Sequence, residues 1–265
     1  MMNTIGFIGC GNMTKYIISG MLSSGEYSPD NIMVFDKNIK QTQYLNVRKA
    51  SKSEDIFESC SHVILAVKPD YISVVLSEAH SYISNTHVIV SIAAGVPLSK
   101  LESILGPDAK VIRVMPNLPV SVLAGCSSLT ANKNTNEDDL REVLKIFDSV
   151  GITAVCDEEQ FHAVTGISGS SPAYVFMFIE AMADAGVLGG LSRDMAYRFA
   201  AQAVMGSAKM VSESKFHPAE LKDKVCSPGG TTIEAVRVLE NKNMRSAVIE
   251  AVMSCIDKSV ILSKR

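Results

Sequence analysis

The stretch Ile5-Gly6-Phe7-Ile8-Gly9-Cys10-Gly11-Asn12-Met13-Thr14 decides how this chain is read. A β-branched run enters a Gly-x-Gly turn and leaves it as a helix. In a dinucleotide fold the first of those glycines permits the tight turn. The second lets the backbone approach a pyrophosphate, which then sits on the positive N-terminus of the helix. Thr14 occupies the third position of the Gly-x-Gly-x-x-Gly pattern, so the motif alone is weak. Its place on the first strand strengthens it, as does Asp36, about 25 positions on at the end of the run Val34-Phe35-Asp36-Lys37. There Asp36 suits the adenosine ribose hydroxyls and NADH, or is an ordinary strand-end turn residue, while Lys37 suits a 2′-phosphate. The coenzyme, NADPH or NADH, stays open.

Outward from that loop, residues up to about 155 alternate short apolar runs with helical patterns. The runs are Thr4–Ile8, Ile32–Asp36, His62–Val67, His87–Ile92, Lys110–Met115 and Ile152–Val155. Helical patterns cover Met13–Leu22, Ser53–Ser59, Ile72–Ile83, Leu98–Leu105 and Glu137–Asp148. Such alternation predicts a mostly parallel sheet covered on both faces. Pro116–Asn132 breaks the rhythm and reads as a loop plus one extra strand. Beyond residue 160 only helices are expected: Pro172–Leu188, Asp194–Glu213, Pro218–Val225, Thr231–Leu239 and Arg245–Leu262. The charge changes as well, from net −5 over residues 1–160 (13 basic, 18 acidic) to net +2 over 161–265 (12 basic, 10 acidic).

Ala173–Ala185 (AYVFMFIEAMADA) is apolar round nearly its whole circumference. A helix without a polar face must be covered on all sides, and a helical half this small cannot do so alone. An obligate homodimer follows.

Composition excludes other classes. With 25 basic and 28 acidic residues the net charge is −3, which disfavours a general nucleic-acid binder. The longest uncharged windows, Val114–Asn132 and Ala163–Ile179, are interrupted by prolines and hydroxyl residues, so no membrane span is expected. No signal peptide is expected either, because a strand-like run starts almost at once. The six cysteines show no CxxC pair and no metal-ligand spacing, so reduced structural thiols, no metal and a cytoplasmic protein are expected.

Absences narrow the chemistry further. Alcohol-oxidising nicotinamide enzymes need a base for the hydroxyl proton, yet no tyrosine here has Lys four positions on. No Lys or Arg lies between Lys145 and Arg193, and the five histidines show no pairing pattern. A site without an obvious acid or base suits a substrate already activated for hydride attack, such as a protonated imine. In the back half, Cys226-Ser227-Pro228-Gly229-Gly230-Thr231-Thr232-Ile233 is the unusual stretch. Ser227 reads as an N-cap and Pro228 as the first helical residue, leaving backbone N–H groups at a positive helix end for a carboxylate. Ser227, Thr231 and Thr232 add hydroxyls.

Pro218–Glu240 (PAELKDKVCSPGGTTIEAVRVLE) closely resembles the signature of the pyrroline-5-carboxylate reductases. Phe7–Met13, Ala66–Pro69, Ser91–Gly95, Arg113–Asn117, Ser168–Tyr174 and Asp184–Val187 agree in order, so the resemblance covers essentially the whole chain. It implies reduction of the cyclic imine 1-pyrroline-5-carboxylate to L-proline by NADPH or NADH, the last step of proline biosynthesis. The implied coenzyme residues are Ile8, Gly9, Cys10, Gly11, Asn12 and Met13 for the pyrophosphate, then Ala66, Val67, Lys68, Pro69, Ala93, Ala94 and Gly95 for the nicotinamide half, with Asn117 close by. Gly229, Gly230 and Thr231 would hold the carboxylate, and the Thr232 hydroxyl would contact the ring nitrogen. Interleaved dimers, in some members five to a ring, are implied too. Ser171 stands where the family has Gly, and Thr14 where Ala is usual.

The expectation is therefore an α/β N-terminal Rossmann-type dinucleotide-binding domain (1–158) followed by an all-α C-terminal dimerisation and substrate-binding domain (159–265). The runner-up is another imine or keto-acid reductase of similar layout. A non-enzymatic dinucleotide-binding module would have no need of the Ser227–Thr232 segment.

Overall fold

The structure, a computed structural model, describes residues 4–263. They fall into two compact units, one of residues up to Gly169 together with the chain from Ile256 onward, the other Ser170–Cys255.

The first unit is built on one eight-stranded sheet. Its strands are β1 (Ile5–Ile8), β2 (Ile32–Phe35), β3 (Arg48–Lys49), β4 (His62–Leu65), β5 (Val88–Ser91), β6 (Lys110–Met115), β7 (Gly125–Ala131) and β8 (Gly151–Val155), in the order 3-2-1-4-5-6-7-8. The first six in that order pair parallel, β7 runs antiparallel to β6, and β8 pairs parallel with β7. Strands IGFI, HVIL and VIVS are buried at every residue, as strands covered on both faces must be.

Helices α1 (Asn12–Ser24), α2 (Ser53–Ser59), α3 (Pro69–Glu78), α4 (Leu98–Leu105) and α5 (Glu137–Asp148) supply that cover. One core packs Ile17, Ile18 and Met21 of α1 and Val143, Ile146 and Phe147 of α5 against Phe7, Ile64 and Ile112. The other packs Ile56, Phe57, Ile72, Leu76 and Leu101 against Ile8, Val63 and Ile89. Gly6 makes the second contact close, since a Cβ there would lie 2.4 Å from Ile56 Cγ2. A short α6 (Phe161–Val164) runs into a π-helical turn at Thr165–Gly169.

One sequence expectation changes here. The two-residue strand β3 adds an edge that no apolar run announces, because Arg48 and Lys49 are both exposed. The helical stretch Glu158–Leu188 is long and apolar enough to cross a membrane by length and composition, and almost none of it is buried within the chain.

The second unit holds α7 (Ser171–Leu188), α8 (Arg193–Glu213), α9 (Pro218–Val225), α10 (Thr231–Asn241) and most of α11 (Met244–Ser263). Ser192 caps α8 by accepting from Met195 N–H, and His217 Nδ1 caps α9 by accepting from Ala219 N–H at 3.2 Å. Its buried cluster contains only Ala183, Ala196 and Ala200, flanked by Ile179 and Val187. Phe176 and Met177 of α7 are 57% and 69% exposed. A single chain leaves the apolar circumference of α7 uncovered.

Candidate functional site

In an open parallel sheet, ligands bind beyond the carboxyl ends of the strands, at the point where strand order reverses. Here that point lies between β1 and β4, and the glycine loop leaves β1 there. Gly9 sits at φ +96°, and a Cβ on it would come within 2.6 Å of Ala66 O, so glycine is required on both counts. Thr14, fully buried, donates its hydroxyl to Gly9 O at 2.8 Å and pins the turn. A larger residue at this position therefore braces the loop from beneath.

Gly11 is the extended N-cap of α1, without a side-chain cap, and a Cβ placed there meets nothing within 4 Å. The protein's own packing does not demand glycine at 11. The open space over this helix start is the fit a pyrophosphate needs. Ile8 and Cys10 are buried, so they offer only backbone to a ligand, whereas Asn12 is exposed. Burial pushes the Cys10 thiol above its ordinary range, and its Sγ donates to Gln41 O.

Asp36 follows β2 directly. Its Oδ2 accepts from Cys10 N–H at 2.7 Å and its Oδ1 from Asn38 N–H at 2.8 Å. The carboxylate is thus both a strand-end turn residue and a clamp on the glycine loop, and it keeps lone pairs for further donors. Lys37 extends into solvent, 3.8 Å from Glu78.

The remaining front-half residues sit at neighbouring strand ends. Ala66 and Val67 follow β4, and exposed Lys68 and Pro69 start α3. Ala93 is buried and donates its N–H to Ser91 Oγ, while exposed Gly95 turns at φ +76°. Asn117, after β6, is buried, with a partner for both its amide nitrogen and its amide oxygen. Its Nδ2 donates to Ser168 O at 3.0 Å, and its Oδ1 accepts from Cys126 N–H at 2.8 Å.

In the helical unit the segment before α10 differs from the expectation. Ser227 is not an N-cap and Pro228 is not helical. Gly230 N–H donates to Ser227 O at 3.1 Å and Gly229 sits at φ +67°, which makes Ser227–Gly230 a type II turn. The Pro-Gly pair fills the two central positions that this turn prefers, and that choice overrides the capping tendency of Ser227. The helix begins at Thr231, where its apolar pattern predicts, with Gly230 as its extended N-cap and no side-chain cap. A Cβ on Gly230 would lie 2.2 Å from Ser227 Oγ. Since the Gly230 N–H closes the turn, the N–H groups of Thr231 and Thr232 are the ones the helix start offers. Thr232 is half-buried and Thr231 exposed.

Four of the five histidines hold structure, His217 by capping α9. His87 takes Ser84 N–H on Nδ1 and reaches Phe57 O with Nε2, His162 meets Ser259 Oγ, and His62 is buried in the sheet. Among the described residues no His/Cys/Asp/Glu group suits a metal ion, and all six cysteines are free thiols. Sequence reading missed Arg113 and Glu158, which meet at 2.8 Å. Only the block Arg113–Asn117 hinted at them.

A glycine hinge at the reversal point of a doubly wound sheet, answered by a carboxylate on the next strand, places the protein among the dinucleotide-dependent oxidoreductases. Comparison with known proteins is more specific. Residues 158–262 match the family model for pyrroline-5-carboxylate reductase dimerisation, and residues 4–95 match that for NADP oxidoreductase, coenzyme F420-dependent. The chain is 52% identical to the pyrroline-5-carboxylate reductase of Escherichia coli K12 over the full length of both, and 39% identical to that of Arabidopsis thaliana, covering 98% of this chain and 95% of the relative. It superposes on the Coxiella burnetii pyrroline-5-carboxylate reductase with TM-score 0.92 at 33% identity, covering 99% of each chain. With the NADP-bound Plasmodium falciparum pyrroline carboxylate reductase the TM-score is 0.89 at 32% identity, covering 98% of each. The chain belongs to the pyrroline-5-carboxylate reductase family.

Proposed function

We propose that the protein reduces 1-pyrroline-5-carboxylate to L-proline with NADPH or NADH, closing proline biosynthesis. The observation that carries this reading is a pyrophosphate-ready loop at Gly9–Gly11 in a chain that also holds the Ser227–Thr232 helix start and shows no sequence pattern for a general base. The curated relatives named for this reaction, matched over their full length, support it. Residues 1–158 act as the coenzyme half, and 159–265 as the dimerisation and substrate half.

When bound, the coenzyme supplies hydride to the electrophilic carbon of the protonated C=N bond. Everything else falls to the chain. The amides of Gly11 and Asn12 at the start of α1 receive the pyrophosphate, and Asp36 faces the ribose. Ala66–Pro69 and Ala93–Gly95 shape the nicotinamide half, with Asn117 holding the loop beside them. In the helical half, Thr231 and Thr232 N–H with the Gly229–Gly230 turn receive the carboxylate at the positive end of α10. The Thr232 hydroxyl contacts the ring nitrogen and steadies its proton. No base is required, because the substrate arrives activated. Orientation can supply much of the acceleration, roughly 7–11 kcal/mol at best.

The dimerisation match over 158–262 and the bare apolar surface of α7 make the protein a homo-oligomer. We take the unit to be a homodimer, assembling further as five dimers. The apolar stretch Glu158–Leu188 is then interface and not a membrane span, since Pro172 and the π turn interrupt it. Its free thiols suit a cytoplasmic protein.

The test is loss of reduced-coenzyme absorbance on adding the cyclic imine, with NADPH and NADH in turn, against open-chain keto acids and larger cyclic imines. Turnover of the five-membered imino acid is expected; turnover only of keto acids would overturn the reading. Thr232→Val should lower kcat/KM about tenfold or more, on the order of 1.4 kcal/mol. Unchanged kinetics would remove Thr232 from the mechanism.

A further inference from the structure

Arg113 lies on β6 with its side chain only 9% exposed, where an arginine without a partner would be costly. Its Nη1 donates to Glu158 Oε1 at 2.8 Å, and the guanidinium stacks 4.7 Å from the Phe161 ring centroid. The same Glu158 oxygen accepts Leu98 N–H, also at 2.8 Å. Leu98 opens α4, immediately after the Ala93–Gly95 turn and Val96-Pro97. One carboxylate oxygen therefore ties the exit of β5 to β6 and to the chain entering α6.

The far end of that segment carries a second tie, from Asn117 Nδ2 to Ser168 O inside the π turn. Residues 158–169 are thus fastened at both ends to groups four residues apart on one motif, Arg113-Val114-Met115-Pro116-Asn117. π turns are uncommon and frequently mark functional sites. A salt bridge serving stability alone is poorly explained here, since a buried pair contributes little over an apolar replacement. A pair that fixes two loop exits at the ligand end of the sheet is well explained.

We propose that Arg113 and Glu158 are positioning residues for hydride transfer: their contact fixes the Ala93–Gly95 turn that backs the nicotinamide ring. The proposal rests on the reductase reading above. Neither residue touches substrate or coenzyme; both act through the Leu98 N–H and the placement of the turn. Small displacements at this step are costly, since about 1 Å of misplacement can lower a rate a hundredfold.

The experiment measures single-turnover coenzyme oxidation by stopped flow, coenzyme KM and thermal midpoint in Arg113→Met, Arg113→Lys, Glu158→Gln and the Met/Gln double variant. Arg113→Met and Glu158→Gln should slow the hydride step about tenfold or more while coenzyme KM stays within about twofold, because the pyrophosphate loop is untouched. Arg113→Lys should recover part of the rate, and the double variant should be no slower than Arg113→Met, since both changes remove one contact. Glu158→Gln removes the charge that holds the buried guanidinium while keeping the side chain's size, and so reports on the Arg113 contact even if Arg113→Met fails to fold. Wild-type single-turnover rates in well-folded variants, or additive losses, overturn the proposal. A wild-type chain inert toward the imine would instead overturn the reductase reading beneath it.

Discussion

The two units solve the problem of burial in opposite ways. The sheet unit closes on itself: Phe7, Phe147, Phe161, Ile17, Ile64 and Leu65 are all fully buried within one chain. Each such side chain contributes about 1.5–3 kcal/mol relative to exposure. The helical unit buries three alanines and Leu221 and leaves Phe176, Met177, Phe199 and Ile249 each more than half exposed. A surface of that kind marks an interface. The lesson is a division of labour, with a front half that holds its shape in one copy and a back half whose shape depends on a second.

The largest expected effect breaks that contrast directly. Placing charge on α7 with Phe176→Asp and Met177→Asp should dissociate the dimer and unfold the helical unit, while the sheet unit keeps its own cooperative melt. Sedimentation and a two-transition melting curve would show it, and an intact dimer would refute it. Next comes the self-sufficient half. Gly9→Val combines a positive φ with backbone atoms of Ala66 inside contact distance. It should cost on the order of 1–3 kcal/mol and raise the coenzyme dissociation constant at least tenfold, measured by fluorescence titration. Wild-type coenzyme affinity would mean that the loop does not grip the pyrophosphate.

A smaller change is expected at Asp36. Asp36→Ser removes the carboxylate at the end of β2 and should shift the NADPH/NADH ratio of kcat/KM toward NADPH by about tenfold, roughly 1.4 kcal/mol. An unmoved ratio would leave Asp36 only its clamp on Cys10 N–H. The smallest effect belongs to His62. Burial holds its pKa below the ordinary histidine value against the pull of Asp139 and Glu142, with Lys110 acting in the same direction as burial. A histidine kept neutral by folding binds its proton more readily when unfolded. Its contribution is therefore present above the unfolded pKa of about 6.5 and lost as pH falls below it. The melting temperature of the sheet unit should fall between pH 7 and 5, and less steeply in His62→Asn. Identical slopes would contradict this.

How legible these features were in the sequence follows from how local their causes are. The apolar runs at Ile32–Asp36, His62–Val67 and His87–Ile92 announced central strands because both faces of such strands are buried. The glycine loop was legible because Gly9 and Gly11 act through their own backbone. Arg48–Lys49 was not legible, since an exposed two-residue edge strand has no apolar pattern. Ser227-Pro228 was misread because the same pair begins a helix or a turn, and only the left-handed Gly229 decides between them. The Arg113–Glu158 and Asn117–Ser168 contacts join residues 45 and 51 positions apart, beyond the reach of any local pattern.

The central claim, hydride passing from a dinucleotide in the sheet half to a cyclic imino acid held by α10, is tested most directly by isotope transfer. With coenzyme deuterated at its transferable position, the account predicts proline carrying one deuterium on the former imine carbon. Proline formed without deuterium there, or coenzyme oxidised with no proline formed, would contradict it.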